Sequence, residues 1–367
     1  MFRLLRLSSC KTFRMFSSSS KQPIVFNSSM KQQMRHNAAK LNDAKSYDYL
    51  REEVASRLVD RLDDVKREFP LALDLGSGSC FLHREICRDD SLGDNGGGVG
   101  GVKKIVALDS CGEVLRRDEG EDGDVEGKER CDIFRLEGDE GGKLPFPDNS
   151  FDLVVSSMSL HNVNDLPRTM REVKRILKPD RPFLFAMVGG GTLTELRSAM
   201  ILAETERSGG VSSHVGPFVD ASDIGRLLTS SQFALPTVDV DDVVIGYPDA
   251  LILMEHLGKS GEGNAAIARN PGGVSRDMLL ASASIYAQMY GEVDSEWAED
   301  DGGSQGNTLA SQLDGGIPAT FQIVYGIGWT PHESQQQPDE RGSAGGKKIG
   351  DMSVVEKTLT EKKVSGK

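Results

Sequence analysis

A short glycine-rich turn is the first candidate for chemistry. The stretch Asp74-Leu75-Gly76-Ser77-Gly78 follows an apolar run and precedes a segment of helical character that begins near Phe81. Glycines let a backbone adopt dihedral angles that other residues avoid and approach a ligand closely. The N–H groups at the start of the following helix can then meet a carboxylate or a phosphate. The turn therefore predicts a ligand site at the end of a strand.

A second acidic residue narrows the choice of ligand. Asp109 closes the run KIVALD, and a carboxylate at that place can accept hydrogen bonds from a ribose diol. A dinucleotide site would favour the pattern G-x-G-x-x-G, whereas this chain has D-x-G-x-G. Asp74, just before the turn, suits the ammonium group of S-adenosylmethionine better than a pyrophosphate. S-adenosylmethionine is thus the expected cofactor, and a dinucleotide is the alternative hypothesis. The alternative for Asp74 is that its side chain only stabilises the turn.

The elements that would position these residues alternate regularly along the chain. Four short apolar runs have the length and composition of buried parallel strands, at 71–75, 104–109, 151–157 and 183–188. Residues 165–178 carry apolar side chains at helical spacing. This alternation predicts an α/β protein with a doubly wound, mostly parallel sheet of the Rossmann-like type.

The second half of the chain is expected to add helices and one late antiparallel strand. Thr192 and Glu195 have the spacing of a capping box, which marks a helix start. Further helical patterns follow, at 221–231, 249–258 and 275–290. We expect the helices after Thr192 to form a cap over the pocket. Residues 317–329 alternate between apolar and other side chains, as in a half-buried strand.

The first residues have the composition of an organellar address. Residues 1–22 contain five basic side chains and no acidic one, which is typical of a mitochondrial transit peptide. The alternative is a disordered basic tail. We therefore expect residues 1–42 to be a presequence with a flexible N-terminal segment, residues 43–335 to form the folded domain, and residues 336–367 to be a disordered tail. Three Gly- and charge-rich stretches inside the domain are predicted to be flexible surface insertions, at 88–104, 116–130 and 291–316.

Bulk composition excludes several classes of protein. The formal net charge of −13 argues against binding nucleic acid through its phosphates. The five cysteines form no C-x-x-C pair, so neither a disulfide framework nor a structural zinc site is indicated. No apolar run approaches the roughly 20 residues that span a bilayer. These features favour a soluble protein, or one peripheral to a membrane.

Longer segments of the chain resemble known families. Residues 144–180, LPFPDNSFDLVVSSMSLHNVNDLPRTMREVKRILKPD, are similar to the middle of class I S-adenosylmethionine-dependent methyltransferases. Five further segments resemble, more specifically, the mitochondrial complex I assembly factors described as protein arginine hydroxylases: YDYLREEVASRLVDRL, FPLALDLGSG, GGTLTELR, LAETER and PATFQIVYGIGW with HESQ and RGSA. The resemblance covers roughly residues 25 to 344, and its last segment is the most specific.

The resemblance implies a set of site residues and a setting. The implied cofactor residues are Asp74, Gly76 and Gly78 in the loop, Asp109 at the ribose, Asp139 near the adenine, and Ser156 at the end of the fourth strand. The implied substrate pocket contains Ser157, His161 and Asn162. The implied substrate is an arginine on a matrix-facing iron–sulfur subunit of complex I. The protein would then be in the mitochondrial matrix, free or peripheral to the inner membrane, where other assembly factors are potential partners.

Several positions depart from the family pattern. Cys80 replaces a third glycine of the loop, Asn162 replaces an aromatic residue, and Arg181 with Pro182 replaces a glycine and an aliphatic residue. Residues 24–39 lack the acid–base pair expected after Phe26. These departures concern the affinity for cofactor more than the fold.

Three hypotheses for the reaction remain open. The first is hydroxylation of an arginine, which requires an oxidant that side chains do not supply. The second is methylation of a protein or small molecule, and the third is a chaperone-like assembly factor without chemistry. His161 is the best candidate for proton transfer or substrate contact, although a histidine packed under the cofactor fits equally well. His83 is expected to be an ordinary helical residue, and no metal site is predicted.

Overall fold

The computed structural model describes residues 24–88, 97–120, 131–270, 272–291 and 316–335. The described residues up to Thr330 form one compact unit, and a second unit begins at Pro331. Within the described part of the second unit, the Nδ1 atom of His332 lies 2.7 Å from the hydroxyl of Ser334. The predicted presequence core at 1–22 and the predicted tail at 336–367 lie outside the described residues.

A seven-stranded sheet forms the centre of the first unit, with the order β3-β2-β1-β4-β5-β7-β6. The strands are β1 Leu71–Leu75, β2 Lys104–Asp109, β3 Asp132–Glu137, β4 Leu153–Ser157, β5 Pro182–Val188, β6 Ala234–Tyr247 and β7 Ile317–Trp329. The first five are parallel, and β7 runs antiparallel to both β5 and β6. The predicted doubly wound, mostly parallel sheet with a late antiparallel strand is therefore confirmed.

Helices cover both faces of this sheet. They are α1 Ser28–Ala39, α2 Tyr49–Asp63, α3 Phe81–Ile86, α4 Gly112–Leu115, α5 Leu166–Ile176, α6 Thr194–Ser208, α7 Ala221–Ser230, α8 Ala250–Lys259 and α9 Arg276–Tyr290. Alternate strand residues enter opposite cores: Leu184 packs in the core with α2 and α6, whereas Phe183 and Phe185 pack in the core with α5 and α7. Because β5 is buried along its whole length, it reads as a continuous apolar run.

Two segments that were expected to be flexible are folded where the structure describes them. Residues 97–104 close a short loop in which Val99 and Val102 are buried, and the Phe69 N–H donates to the Gly100 carbonyl at 2.8 Å. Residues 24–42 include α1, whose N-cap Asn27 accepts from the Met30 N–H. For these described residues the expectation of flexibility was wrong, because polar or Gly-rich composition does not report the tertiary contacts that hold them.

The predicted capping box at the start of α6 is also wrong. Leu193, in the left-handed region at φ 53°, precedes the helix. The Thr192 hydroxyl donates to the Gln322 carbonyl at 3.1 Å, and the Glu195 carboxylate accepts from the Thr320 hydroxyl at 2.5 Å. Both side chains therefore attach α6 to β7 rather than capping the helix.

Candidate cofactor and substrate site

The glycine turn after β1 has the backbone geometry that the sequence predicted. Gly76 and Gly78 have φ values of +73° and +58°, and the Gly76 N–H donates to the Leu108 carbonyl at 2.8 Å. A Cβ atom at Gly76 would lie 1.9 Å from the Ser159 hydroxyl oxygen, so only glycine fits there. Cys80 also has a positive φ, +60°, directly before α3, which is the strained position that replaces the family's third glycine.

Asp109 lies at the end of β2 and is fully buried. Its Oδ2 accepts from the Gly78 N–H at 2.8 Å and from the Arg35 guanidinium at 2.7 Å. Its Oδ1 accepts from the Cys111 N–H at 2.8 Å. The carboxylate thus links the glycine turn of β1 to the end of β2. Each carboxylate oxygen has two acceptor sites, and Oδ1 therefore retains capacity for one further donor.

Asp74 lies beneath the turn and lines neither of the two cavities described below. Its Oδ2 accepts from the Ser77 hydroxyl at 2.6 Å, and its Oδ1 is buried without a hydrogen-bond partner among the described residues. Burial, with a smaller contribution from Asp109, raises the pKa of Asp74 to about 7. This geometry matches the turn-stabilising alternative, with one oxygen left for a ligand or a shared proton.

A cavity of about 630 Å³ opens between the turn, the ends of β2 and β3, and α1. Among its lining residues are Gly76, Gly78, Asp139, Ser157 and Asn162, which the sequence had assigned to the site. Asp139 is exposed, and one of its oxygens accepts from the Gly141 N–H at 2.9 Å.

Glu140 also lines this cavity and had not been predicted. Its Oε2 is buried without a hydrogen-bond partner among the described residues. Burial, and then the neighbouring Asp109, raise the pKa of its carboxyl group. An unsatisfied buried oxygen is costly, so Glu140 is a candidate to accept a hydrogen bond from a ligand.

The residues at the end of β4 divide between the core and the cavity. The Ser157 hydroxyl is buried without a partner in the described part of the chain and faces the cavity. Ser156 is fully buried, and its hydroxyl donates to the Leu75 carbonyl at 2.7 Å. The prediction that Ser156 lines the pocket is therefore wrong, because successive strand residues point to opposite sides.

A second cavity of about 70 Å³ adjoins the first and contains His161. The Asn162 amide lies 2.9 Å from the Nε2 of His161, which is itself 3.7 Å from Glu262. Burial lowers the pKa of His161, against the opposing effect of Glu262. Burial thus favours the neutral imidazole, which is the form that can accept a proton.

Helix α1 supplies two cations to this region that sequence reasoning did not identify. Lys31 and Arg35 both line the larger cavity, and their side chains are 9% and 15% exposed. The Lys31 ammonium lies 2.5 Å from Glu262, which also accepts from Arg51 at 2.5 Å. Asn27, as an N-cap residue, was the available sequence signal for this helix. The pairing of Lys31 with Glu262, however, could not be predicted from local spacing in the sequence.

Two histidines bear on the expectation that the protein has no metal site. His83 is buried on α3, with its Nε2 3.1 Å from the Cys131 carbonyl, as an ordinary helical residue would be. Among the described residues, His36, Cys111 and Glu113 bring potential ligand atoms within 4.8 Å of one another. The His36 Nδ1 already pairs with Glu113 at 3.0 Å. The absence of a metal site therefore stays a prediction.

The strand order, the glycine turn after β1 and the acid at the end of β2 together define a class I methyltransferase fold. Residues 73–185 match the family model described as "Methyltransferase domain". A phosphoethanolamine N-methyltransferase from Haemonchus contortus, in complex with S-adenosyl-L-methionine, aligns at 15% identity and a TM-score of 0.40, covering 76% of this chain and 52% of that chain.

Sequence comparison identifies a narrower group within this class. The mitochondrial arginine-hydroxylase NDUFAF5 of Danio rerio is 40% identical over 91% of this chain and 91% of its own length. This chain belongs to the NDUFAF5 arginine-hydroxylase family, as its resemblance had implied. A malonyl-[acyl-carrier protein] O-methyltransferase of Halorhodospira halophila is also similar, at 29% identity over 82% of this chain and 88% of its own length. In the part of the chain that the structure describes, no helix has the length and apolarity needed to cross a membrane.

Proposed function

We propose that this protein binds S-adenosylmethionine in the larger cavity and modifies an arginine side chain, by hydroxylation, on a matrix-facing iron–sulfur subunit of respiratory complex I. Membership of the NDUFAF5 family supports the reaction. The observation that carries the proposal is the junction of the two cavities: the glycine turn lines the larger cavity, His161 lines the smaller one, and Glu262 lines both. A cofactor and a substrate side chain would meet there.

The residues of the larger cavity fit S-adenosylmethionine. The positive-φ glycines let the backbone approach the ligand. Asp109 is fully buried, so its Oδ1 could accept a ribose hydroxyl only after its surroundings move to uncover it. Ser157 and Glu140 present buried polar atoms without partners among the described residues, which a bound ligand would satisfy. The cofactor, when bound, carries a sulfonium-activated methyl group. Arg35 must share Asp109 with the ribose or move away from it.

The residues of this chain are assigned to binding and orientation rather than to oxygen activation. Hydroxylation inserts an oxygen atom and requires an oxidant and a source of electrons, which side chains do not provide by themselves. Holding the substrate carbon beside the reacting group can still supply much of the rate. His161 would accept a proton at a ring nitrogen next to the substrate.

Methylation is the second candidate function. The match to a methyltransferase domain and the similarity to an O-methyltransferase favour it. Methyl transfer from a sulfonium needs little from side chains beyond alignment. A protonated guanidinium is a poor nucleophile, however, and would require a carboxylate to orient it.

The proposed setting is the mitochondrial matrix. The NDUFAF5 relatives are named mitochondrial, and residues 1–22 have the composition of a transit peptide. Complex I subunits and other assembly factors are the proposed partners, and nucleic acid is not, because the chain is strongly acidic.

The test is peptide mass spectrometry of the matrix-facing iron–sulfur subunit from cells that lack this protein. The cells are complemented with wild type, Asp109→Asn, or Asp223→Asn as a matched control on the exposed face of α7. We expect one arginine to gain an oxygen atom with wild type and Asp223→Asn only. A gained methylene would support methylation instead. Restored complex I assembly without any change on arginine would overturn the proposal in favour of a scaffold.

A further inference from the structure

The partition between the two cavities is formed by a small set of shared residues. Five side chains line both cavities: Lys31, Arg51, Met158, Asn162 and Glu262. A group bound at this partition contacts the cofactor cavity on one side and the smaller cavity on the other. Under the proposed function, that is where the reacting side chain of a substrate must lie.

Glu262 is the one acidic residue of this partition, and it carries three cationic or potentially cationic neighbours. Lys31 and Arg51 lie 2.5 Å from its two oxygens, and the Nε2 of His161 lies at 3.7 Å. Burial alone would raise the pKa of Glu262, but the charges of Lys31 and Arg51 hold this pKa well below its usual range. The side chain is 18% exposed, so a ligand entering the cavities can contact a carboxylate that is already ionised.

The two cations around Glu262 are held very differently. Arg51 has further partners besides Glu262, because its guanidinium also donates to the Ser260 carbonyl at 2.8 Å and lies 3.5 Å from Asp48. The Lys31 ammonium has Glu262 as its ion-pair partner in the described part of the chain. Burial lowers the pKa of Lys31, against the attraction of Glu262. Lys31 is therefore the cation that can leave at lower cost.

A carboxylate such as that of Glu262 can bind a guanidinium and an ammonium in different ways. A planar guanidinium can bind both oxygens of a carboxylate, whereas an ammonium on a flexible stem acts as a point charge. The smaller cavity adds aromatic walls from Tyr49, Phe218 and Tyr247. The hydroxyls of Tyr49 and Tyr247 are hydrogen-bonded to each other, which fixes both rings. Aromatic faces attract a desolvated cation.

We propose that Glu262 is the guanidinium-binding residue of the substrate subsite and that Lys31 of α1 occupies this subsite until a substrate arginine displaces it. This inference rests on the proposed function, from which it takes arginine as the substrate side chain. It adds two roles to the proposed function: Glu262 is a carboxylate that determines specificity, and Lys31, 231 residues earlier in the sequence, is an internal competitor for it.

The test measures binding of N-acetyl-L-arginine amide to the purified protein by calorimetry, without cofactor. N-acetyl-L-citrulline amide serves as the neutral probe of the same shape. The variants are Glu262→Gln and Lys31→Met, with Lys174→Met as a matched control. Lys174 lies on α5, and its ammonium donates to the side chain of Gln232 at the surface.

We expect Lys31→Met to bind the arginine probe about tenfold more tightly than wild type, because a competing cation has been removed. Glu262→Gln should lose at least about tenfold, to the level of citrulline, because a charge-assisted pair is lost. Lys174→Met should match wild type. Equal or weaker binding by Lys31→Met, or wild-type binding by Glu262→Gln, would make the cluster a purely structural ion pair and overturn the proposal.

Two features keep the outcome decisive. If Glu262→Gln does not fold, the comparison of Lys31→Met with wild type still decides, and absence of arginine binding by both overturns the proposal. A parallel titration of the same proteins with S-adenosylmethionine separates the two levels of inference. Cofactor binding without arginine binding refutes the subsite alone, whereas arginine binding without cofactor binding refutes the proposed cofactor and leaves the subsite standing.

Discussion

Replacing Gly76 by alanine tests the close packing beneath the cofactor turn. The new Cβ would lie 1.9 Å from the hydroxyl oxygen and 2.3 Å from the Cβ of Ser159. Ser159 is 8% exposed, so its side chain cannot simply turn into solvent. The substitution therefore combines an unfavourable backbone conformation at φ +73° with a steric conflict.

The two costs can be separated. A left-handed conformation costs an alanine roughly 1–2 kcal/mol, and forcing extra atoms into packed structure costs about 1–3 kcal/mol. Gly209→Ala is the matched control, because Gly209 has φ +66° and no atom within 4 Å of its added Cβ. We expect Gly209→Ala to lower the free energy of unfolding by about 1 kcal/mol, and Gly76→Ala by about 3 kcal/mol.

Urea denaturation of the purified proteins measures both changes. The double variant Gly76→Ala with Ser159→Gly removes the obstructing side chain, and we expect it to recover about 2 kcal/mol of coupling free energy. Equal destabilisation by Gly76→Ala and Gly209→Ala, or no recovery in the double variant, would refute the close approach of Ser159 to the turn.

Three further predictions follow from the site. Arg35→Ala should destabilise the protein by about 3 kcal/mol, because it leaves buried Asp109 without its cation; S-adenosylmethionine should then raise the melting temperature more than in wild type, and a smaller rise would contradict the shared use of Asp109. The folded-state pKa of Asp74, about 7, lies above the unfolded value of about 3.9, so its contribution to stability is complete below about pH 4 and is lost as the pH rises through 7. Urea denaturation should show wild type losing up to about 4 kcal/mol relative to Asp74→Asn over that interval, and parallel pH profiles would contradict the burial argument. Ser156→Ala should cost about 1 kcal/mol of stability without changing cofactor affinity, whereas Ser157→Ala should weaken cofactor binding at unchanged stability. Urea denaturation measures the stability and calorimetry measures the affinity. Weaker cofactor binding by Ser156→Ala and not by Ser157→Ala would contradict this assignment of the two serines.

Local sequence signals were sufficient for most of the fold. The apolar runs at β1, β2 and β5 are short and bounded by turns, so composition and length alone predict buried strands. The strand β6 was missed because it carries Asp239, Asp241 and Asp242. Two of these acids pair with arginines of α2, at 2.5 Å and 2.7 Å, so an edge strand with an acidic face looked like a surface segment.

The sequence predicted only those parts of the site that are formed by residues close together in the sequence or at the ends of adjacent strands. Gly76, Gly78 and Asp109 lie at or just after strand ends, and their places follow from the topology of a parallel sheet. The pair of Lys31 and Glu262 joins positions 231 residues apart, which no periodicity encodes. Ser156 and Ser157 are adjacent in sequence but point to opposite sides of β4, and a shift of one residue was enough to misassign one of them.

Calorimetric titration of the purified protein with S-adenosylmethionine tests most directly whether the larger cavity is the cofactor site. Wild type and the surface control Asp223→Asn should bind with one saturable site, and Asp109→Asn should bind at least about tenfold more weakly, because hydrogen bonds to a buried carboxylate are lost. Absence of binding by wild type, or equal affinity in Asp109→Asn, would contradict the account.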